Sequence, residues 1–193
     1  MKIAVITVSD RASRGEYADR SGPALVEELT QGAPDAELVT EVVPDGVEPV
    51  LAALRRHEDA DWILTTGGTG TGPRDRTPEA TRAFVDRAVP GLAEYLRARS
   101  LEQTPFAVFS RAEAGLRGRT YVVNLPGSEK GARFCARLLV PLLRHGVMMA
   151  AGESHAPLRR LTKITSGEGV PPQGATTVSG AVAFTVVPSP TWP

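Results

Sequence analysis

Apolar residues along this chain fall into two rhythms that alternate. Ile3 to Val8 is a continuous, largely β-branched run that gives way at once to Ser9 and Asp10, a pattern that predicts a buried central strand ending in a loop. From Ser21-Gly22-Pro23 onward, Leu25, Val26 and Leu29 recur at helical spacing with Glu27 and Glu28 on the other side, which predicts a helix opened by proline. Glu37 to Val43 then reads as a strand, Val47 to Arg56 as a helix, and Trp62 to Thr66 as a third strand running into glycine. Thr77-Pro78-Glu79 has the form of a helix start, threonine in the capping position and proline next, with Phe84 and Val85 as candidate core residues. Phe106 to Ser110 and Tyr121 to Leu125 are the next predicted strands, and Glu129 to Val147 a long closing helix. Such alternation predicts an α/β fold whose mainly parallel sheet is covered on both faces.

Beyond His155 the alternation stops. Residues 156–193 are rich in proline and glycine with little helical periodicity, and they read as an extension to a domain spanning 1–155. Within the extension, Ala181 to Val187 is a candidate strand for a sheet edge or another subunit.

Composition narrows the functions open to such a fold. The 22 lysines and arginines balance 22 aspartates and glutamates, so the chain lacks the positive excess that binding a nucleic acid backbone requires. Cys135 is the single cysteine, which excludes an internal disulfide, and no cysteine and histidine spacing suits zinc; both fit a reducing cytoplasm. The apolar run at the N-terminus is too short for a membrane span and no small-residue cleavage site follows it, so neither membrane nor export is expected. His57, His145 and His155 lie in helical or terminal contexts without a nearby nucleophile signature, and no serine–histidine–acid triad can be assembled from them.

The chemistry concentrates after the third strand. Thr65-Thr66-Gly67-Gly68-Thr69-Gly70-Thr71-Gly72-Pro73-Arg74-Asp75 places four glycines in six positions, removing side chains that would keep a phosphate from the backbone amides. Hydroxyls of Thr66, Thr69 and Thr71, a guanidinium fork from Arg74 and a hard oxygen ligand from Asp75 would suit a nucleoside triphosphate with its magnesium ion. The Walker loop is absent because no Gly-Lys precedes a hydroxyl residue, and the dinucleotide fingerprint is absent because Pro73 stands where its third glycine belongs. The same residues also suit a tight turn with no ligand, with Arg74 and Asp75 as a surface ion pair. Asp45 follows the second strand and would emerge at the same sheet edge as Ser9, Asp10 and the glycine loop, although Pro44-Asp45-Gly46 equally describes an ordinary turn. Asn124-Leu125-Pro126-Gly127-Ser128 joins a strand to the last helix, where it would present amides to an anion or simply cap the helix with Ser128. Ser110-Arg111 is the fourth predicted strand end.

Taken in order, Thr7-Val8-Ser9-Asp10, Asp19-Arg20-Ser21-Gly22-Pro23, Val43-Pro44-Asp45, Gly67-Gly68-Thr69-Gly70, Arg74-Asp75-Arg76-Thr77-Pro78-Glu79-Ala80-Thr81, Ser110-Arg111, Gly115-Leu116-Arg117-Gly118 and Asn124-Leu125-Pro126-Gly127 resemble the molybdopterin-binding G-domain family, over about Met1 to Ala151. The resemblance implies a three-layer αβα fold, a homotrimer, and transfer of AMP from Mg-ATP, the co-substrate, onto the terminal phosphate of molybdopterin. It also implies that Asp45 and Asp75 serve catalysis and hold Mg2+, and that Ser9, Asp10, Gly67, Gly68, Thr69, Gly70, Ser110, Asn124, Pro126 and Gly127 contact nucleotide or pterin; Thr66, Arg74 and Ser128 join these candidates on their own chemistry and position. Two positions depart from the family pattern: Ser128 replaces an asparagine or glutamine common after Pro-Gly, and Thr71-Gly72 replaces a position that is often aromatic. The molybdate-inserting domain of the eukaryotic fusions has no counterpart, so insertion would require a separate partner protein. A molybdopterin- or precursor-binding protein without efficient adenylylation, and a trimeric scaffold module, are the alternatives that the family allows.

Overall fold

A computed structural model describes residues 1–153. The predicted extension and its candidate strand Ala181 to Val187 lie outside the described residues. Six strands form one sheet: β1 (Lys2–Val8), β2 (Glu37–Val43), β3 (Trp62–Thr66), β4 (Arg87–Ala88), β5 (Ala114–Arg117) and β6 (Thr120–Leu125). Their order is β2-β1-β3-β6-β5-β4. The first four in that order are parallel and β5 runs antiparallel to both of its neighbours, β6 and β4, so the mainly parallel sheet expected from the alternation is present with antiparallel pairing at one edge.

Burial on both faces explains the continuous apolar runs. Along β1, Ile3 and Val5 pack into one core cluster, while Ala4, Ile6 and Val8 pack into the other. The first cluster is closed by α2 (Ser21–Gly32), α5 (Pro90–Ser100) and α6 (Glu129–Ala150) through Leu25, Leu29, Leu96, Leu139 and Leu143. The second is closed by α3 (Val47–Arg56) and α4 (Thr77–Phe84) through Val50, Leu54, Ala80 and Phe84. Helices on each side of a central sheet make three layers.

Three local expectations need correction. Phe106 to Ser110 is not a strand: Pro105–Phe109 is a 3-10 helix, capped by Thr104 and leaving Phe106 and Phe109 mostly exposed, so Ser110 does not stand at a strand end. A short apolar run carries no period long enough to separate the two conformations. Thr77 does not cap α4; it is the first helical residue, and its hydroxyl donates to the Gly67 carbonyl at 3.0 Å. Glu28, read as part of a polar face, is buried between α2 and α6, with Arg137 Nε donating to its carboxylate at 2.8 Å.

Candidate active site

In the order β2-β1-β3, the chain leaving the carboxyl end of β1 turns to α2 on one face of the sheet, and the chain leaving the neighbouring β3 turns to α4 on the other. A crevice opens at such a switch point because the two loops diverge, and ligands of open α/β sheets bind there. Here it is a cleft of about 510 Å³. Thr7, Val8 and Ser9 line it from the end of β1, Thr66, Gly67 and Gly68 from the end of β3, and Gly127, Ser128 and Glu129 from the start of α6. Asp45 and Asp75 reach it from the loops after β2 and β3.

Backbone geometry gives the cleft its floor. Gly67 has φ +104° and Gly68 φ +62°, and a Cβ on Gly67 would run into the Val8 carbonyl oxygen. The two strand-end loops touch: a Cβ on Gly127 would lie 3.0 Å from Gly67 Cα. Gly67 N donates to Leu125 O, whereas the amides of Gly68 and Gly127 have no acceptor among the described residues. Thr66, fully buried, is turned inward, its hydroxyl donating to Pro126 O at 2.8 Å. Thr77 fixes the loop from behind, with its amide on Gly68 O and its hydroxyl on Gly67 O.

The two carboxylates are held by different means. Asp45 Oδ2 accepts the Asp10 amide at 2.8 Å, and the Asp45 amide donates to Asp10 Oδ1 at 3.1 Å, a reciprocal pair joining the ends of β1 and β2. Burial pushes the Asp45 carboxyl above its usual range; the Asp10 amide opposes the rise and the charges of Asp10 and Asp75 add to it. Asp75 Oδ2 accepts the Gly72 amide at 2.9 Å, and Arg111 holds the Asp75 carbonyl while donating to Gly70 O at 2.7 Å and Glu79 Oε1 at 2.6 Å. Each carboxylate therefore keeps one oxygen, Oδ1, without a donor among the described residues.

A second cavity, about 530 Å³, opens on the far side of the glycine loop. Ala93, Leu96, Phe106, Phe109 and Phe134 make most of it apolar, with Thr69, Gly70, Ser110 and Pro126 on its border. Ser128 lines both spaces, and its hydroxyl accepts the Gly131 amide as the cap of α6.

The expected site residues thus separate into groups. Ser9, Asp45, Thr66, Gly67, Gly68, Asp75, Gly127 and Ser128 meet around the cleft, and Thr69, Gly70, Ser110, Pro126 and Ser128 around the apolar cavity. Ser9 also caps the short helix α1 (Asp10–Ser13), accepting the Ala12 amide. Asp10, Arg74 and Asn124 line neither. Arg74 lies on Asp10, with two contacts of 3.1 Å, and on the Asp45 carbonyl at 2.7 Å; this pairing holds the Asp10 carboxyl below its usual range. Asn124 is buried, its amide donating to Thr65 and Thr81 hydroxyls and its oxygen accepting the Glu113 amide, which ties β3, α4 and β5 together. Missed from the list are Thr7, Tyr17, Asp19, Arg20 and Glu129. The segment 19–23 carries family signal, yet by periodicity it is only a helix start; its closeness to the cleft comes from α2 packing beside β1.

A glycine-floored crevice at a parallel-sheet switch point, with unengaged amides and two carboxylates, defines an open α/β domain with its candidate ligand site at the carboxyl ends of the strands. The chain belongs to the family described as the probable molybdopterin binding domain, whose model matches residues 4–145. A molybdopterin adenylyltransferase of Helicobacter pylori is 38% identical over 154 residues, covering 78% of this chain and 88% of the relative. The molybdenum cofactor synthesis protein cinnamon of Drosophila melanogaster is 38% identical over 146 residues, 74% of this chain, but the match spans only 24% of that longer protein. The crystal structure of the molybdopterin biosynthesis enzyme MoaB from Thermus thermophilus is 46% identical with a TM-score of 0.72, covering 79% of this chain and 97% of that one.

Proposed function

We propose that this protein is a molybdopterin adenylyltransferase, moving AMP from Mg-ATP to the terminal phosphate of molybdopterin with release of pyrophosphate. The observation that carries the reading is the junction at Ser128 of two unlike spaces, a polar cleft with free amides and an apolar cavity. The cleft suits the triphosphate and the cavity a flat pterin, and their shared border is where the two phosphates would meet.

Transfer requires the pterin phosphate oxygen to attack the α-phosphorus while the bond to the β-phosphate oxygen breaks. That nucleophile is already anionic at neutral pH, so no general base is needed, and the obstacle is bringing two anions together. The amides of Gly68 and Gly127 and the N-terminus of α6 present positive dipole ends to the cleft without added charge. Asp19, Asp45, Asp75 and Glu129 make the cleft rim acidic, which would repel a bare triphosphate and favours one that arrives with a cation. Two carboxylates with one unengaged oxygen each fit magnesium, which takes one or two protein carboxylates plus phosphate oxygens rather than a full protein cage. When bound, Mg2+ would neutralise charge on the phosphates held between Asp45 and Asp75.

Incubation with molybdopterin and Mg-ATP should yield pyrophosphate and adenylylated pterin. Pterin binding with no pyrophosphate would leave a binding protein in place of an enzyme. Asp75→Asn keeps the contact to the Gly72 amide and should lower turnover on the order of a hundredfold; chelation of divalent cations should abolish it. Undiminished turnover in Asp75→Asn would overturn the assignment.

Association as a homotrimer belongs to the same reading. Exposed apolar side chains outside the cavity, Leu101 (47% exposed) and Met149 (50%) among them, supply surface that copies of the chain would cover, and the mass in solution tests it. A cytoplasmic setting with a separate molybdate-inserting partner completes the proposal; Cys135 is a free, buried thiol, and no helix of the described residues is long and apolar enough to cross a membrane.

A further inference from the structure

Arg74 was the natural choice for a cation meeting phosphate, yet its guanidinium is committed to Asp10 and the Asp45 carbonyl. Arg111 is committed to Gly70, Asp75 and Glu79, and Arg14 to Glu16. The cleft therefore needs its positive charge from elsewhere, and among the residues that line it there is one cation, Arg20.

Arg20 is exposed and has no carboxylate partner among the described residues. Its neighbour Asp19 forms no ion pair with it and turns its carboxylate oxygens to neutral donors. Asp19 Oδ2 accepts the Thr7 hydroxyl at 2.6 Å, while Oδ1 accepts the Gly22 amide at 3.1 Å and the Ser21 hydroxyl at 3.2 Å. Gly22 has no side chain because a Cβ there would run into Asp19 Oδ2 and Thr7 Oγ1. These bonds pin the start of α2 to the end of β1, and the Arg20 carbonyl accepts the Ala24 amide at 3.2 Å. The Arg20 backbone is thereby fixed at the cleft while its side chain stays uncommitted. What steadies the guanidinium is Tyr17, whose ring lies 5.9 Å from it and 5.0 Å from the guanidinium of Arg11.

We propose that Arg20, steadied by Tyr17, is the residue that binds the phosphate chain of the nucleotide, and that Arg74 serves to buttress Asp10 and Asp45. This rests on the nucleotide occupying the polar cleft, as read above. The planar guanidinium can donate to two phosphate oxygens at once, an arrangement an ammonium does not reproduce. During transfer no bond to Arg20 forms or breaks; it offsets the charge that collects on pyrophosphate as the bond to the α-phosphorus breaks.

The test compares Arg20→Gln, Arg20→Lys, Tyr17→Phe and Tyr17→Ala with the parent chain. Two readouts are used: steady-state turnover with Mg-ATP and molybdopterin, and direct binding of inorganic tripolyphosphate with magnesium. Arg20→Gln should weaken tripolyphosphate binding at least tenfold and raise KM for ATP by a similar factor, leaving KM for molybdopterin and the melting temperature near those of the parent. Arg20→Lys should recover part of the loss, and Tyr17→Phe should retain more affinity than Tyr17→Ala, since it keeps the ring. A parent chain that binds tripolyphosphate through Arg20 but releases no pyrophosphate would sink the enzymatic reading and leave Arg20 in place. Arg20→Gln that turns over and binds like the parent would overturn the assignment of Arg20, and so would a parent chain that binds no tripolyphosphate.

Discussion

At the scale of single residues, Gly67 shows how local conformation and site shape become one requirement. Its φ of +104° is open to glycine and strained for other residues, and the space a methyl group would need is taken by the Val8 carbonyl. Gly118 also has positive φ, +57°, but nothing stands within 4 Å of its missing Cβ. Gly67→Ala is therefore expected to lower the unfolding free energy by about 2 kcal/mol or more and Gly118→Ala by about 1 kcal/mol. Urea titration checks the pair, and equal midpoint shifts would show that the crowding at Val8 is relieved by movement of the loop. The glycine run was legible from composition alone as the loop where side chains give way to backbone. Its individual roles were not: Gly67 and Gly68 floor the polar cleft, whereas Gly70 borders the apolar cavity.

Among elements, the pairing of α2 with α6 rests on apolar contacts of Leu25 and Leu29 with the Leu139 and Leu143 side of the core, and on a buried carboxylate between the two helices. Arg137 holds the Glu28 carboxyl below its usual range, with Arg133 adding to the effect. A carboxyl whose folded value is depressed stabilises the fold fully above its ordinary value of 4.5 and loses that contribution as pH falls through the lower folded value. Glu28→Gln should consequently melt below the parent chain at neutral pH, with the gap closing as the pH is taken below 4.5. Melting curves across that range decide it, and a gap independent of pH would assign the loss to packing instead of charge. The helices and strands with full periodicity, β1, β3, α3 and α6, were legible in advance. The helix Pro90–Ser100 was not, because only Ala93 and Leu96 of its side chains are buried and no apolar stripe marks it. The four-residue strand Ala114–Arg117, half glycine and arginine, is likewise too short to declare a period.

For the whole molecule, the core clusters and the two cavities of the candidate site draw, among the described residues, on those before Ala151. A chain ending at residue 155 should thus keep its melting temperature and its pyrophosphate release. Lost turnover with an unchanged melting temperature would give the removed segment a share in the reaction, and a lowered melting temperature would give it a share in the fold.

The order of apolar and polar residues by itself determined that strands and helices alternate, that the sheet is mainly parallel, and that the glycine loop follows a strand. These are properties of neighbours in the chain, fixed by the side-chain periods of strand and helix. The tertiary structure decided which charges meet. Arg74 and Asp10 lie 64 positions apart and Thr66 and Pro126 lie 60 apart, distances over which no local pattern selects a partner. Once strand order brings β1 between β2 and β3, Asp10 captures Arg74, Asn124 turns inward to two threonine hydroxyls, and the cleft is left with Arg20 as its cation. The sequence named the glycine loop at the end of β3; through-space geometry chose the residues that surround it.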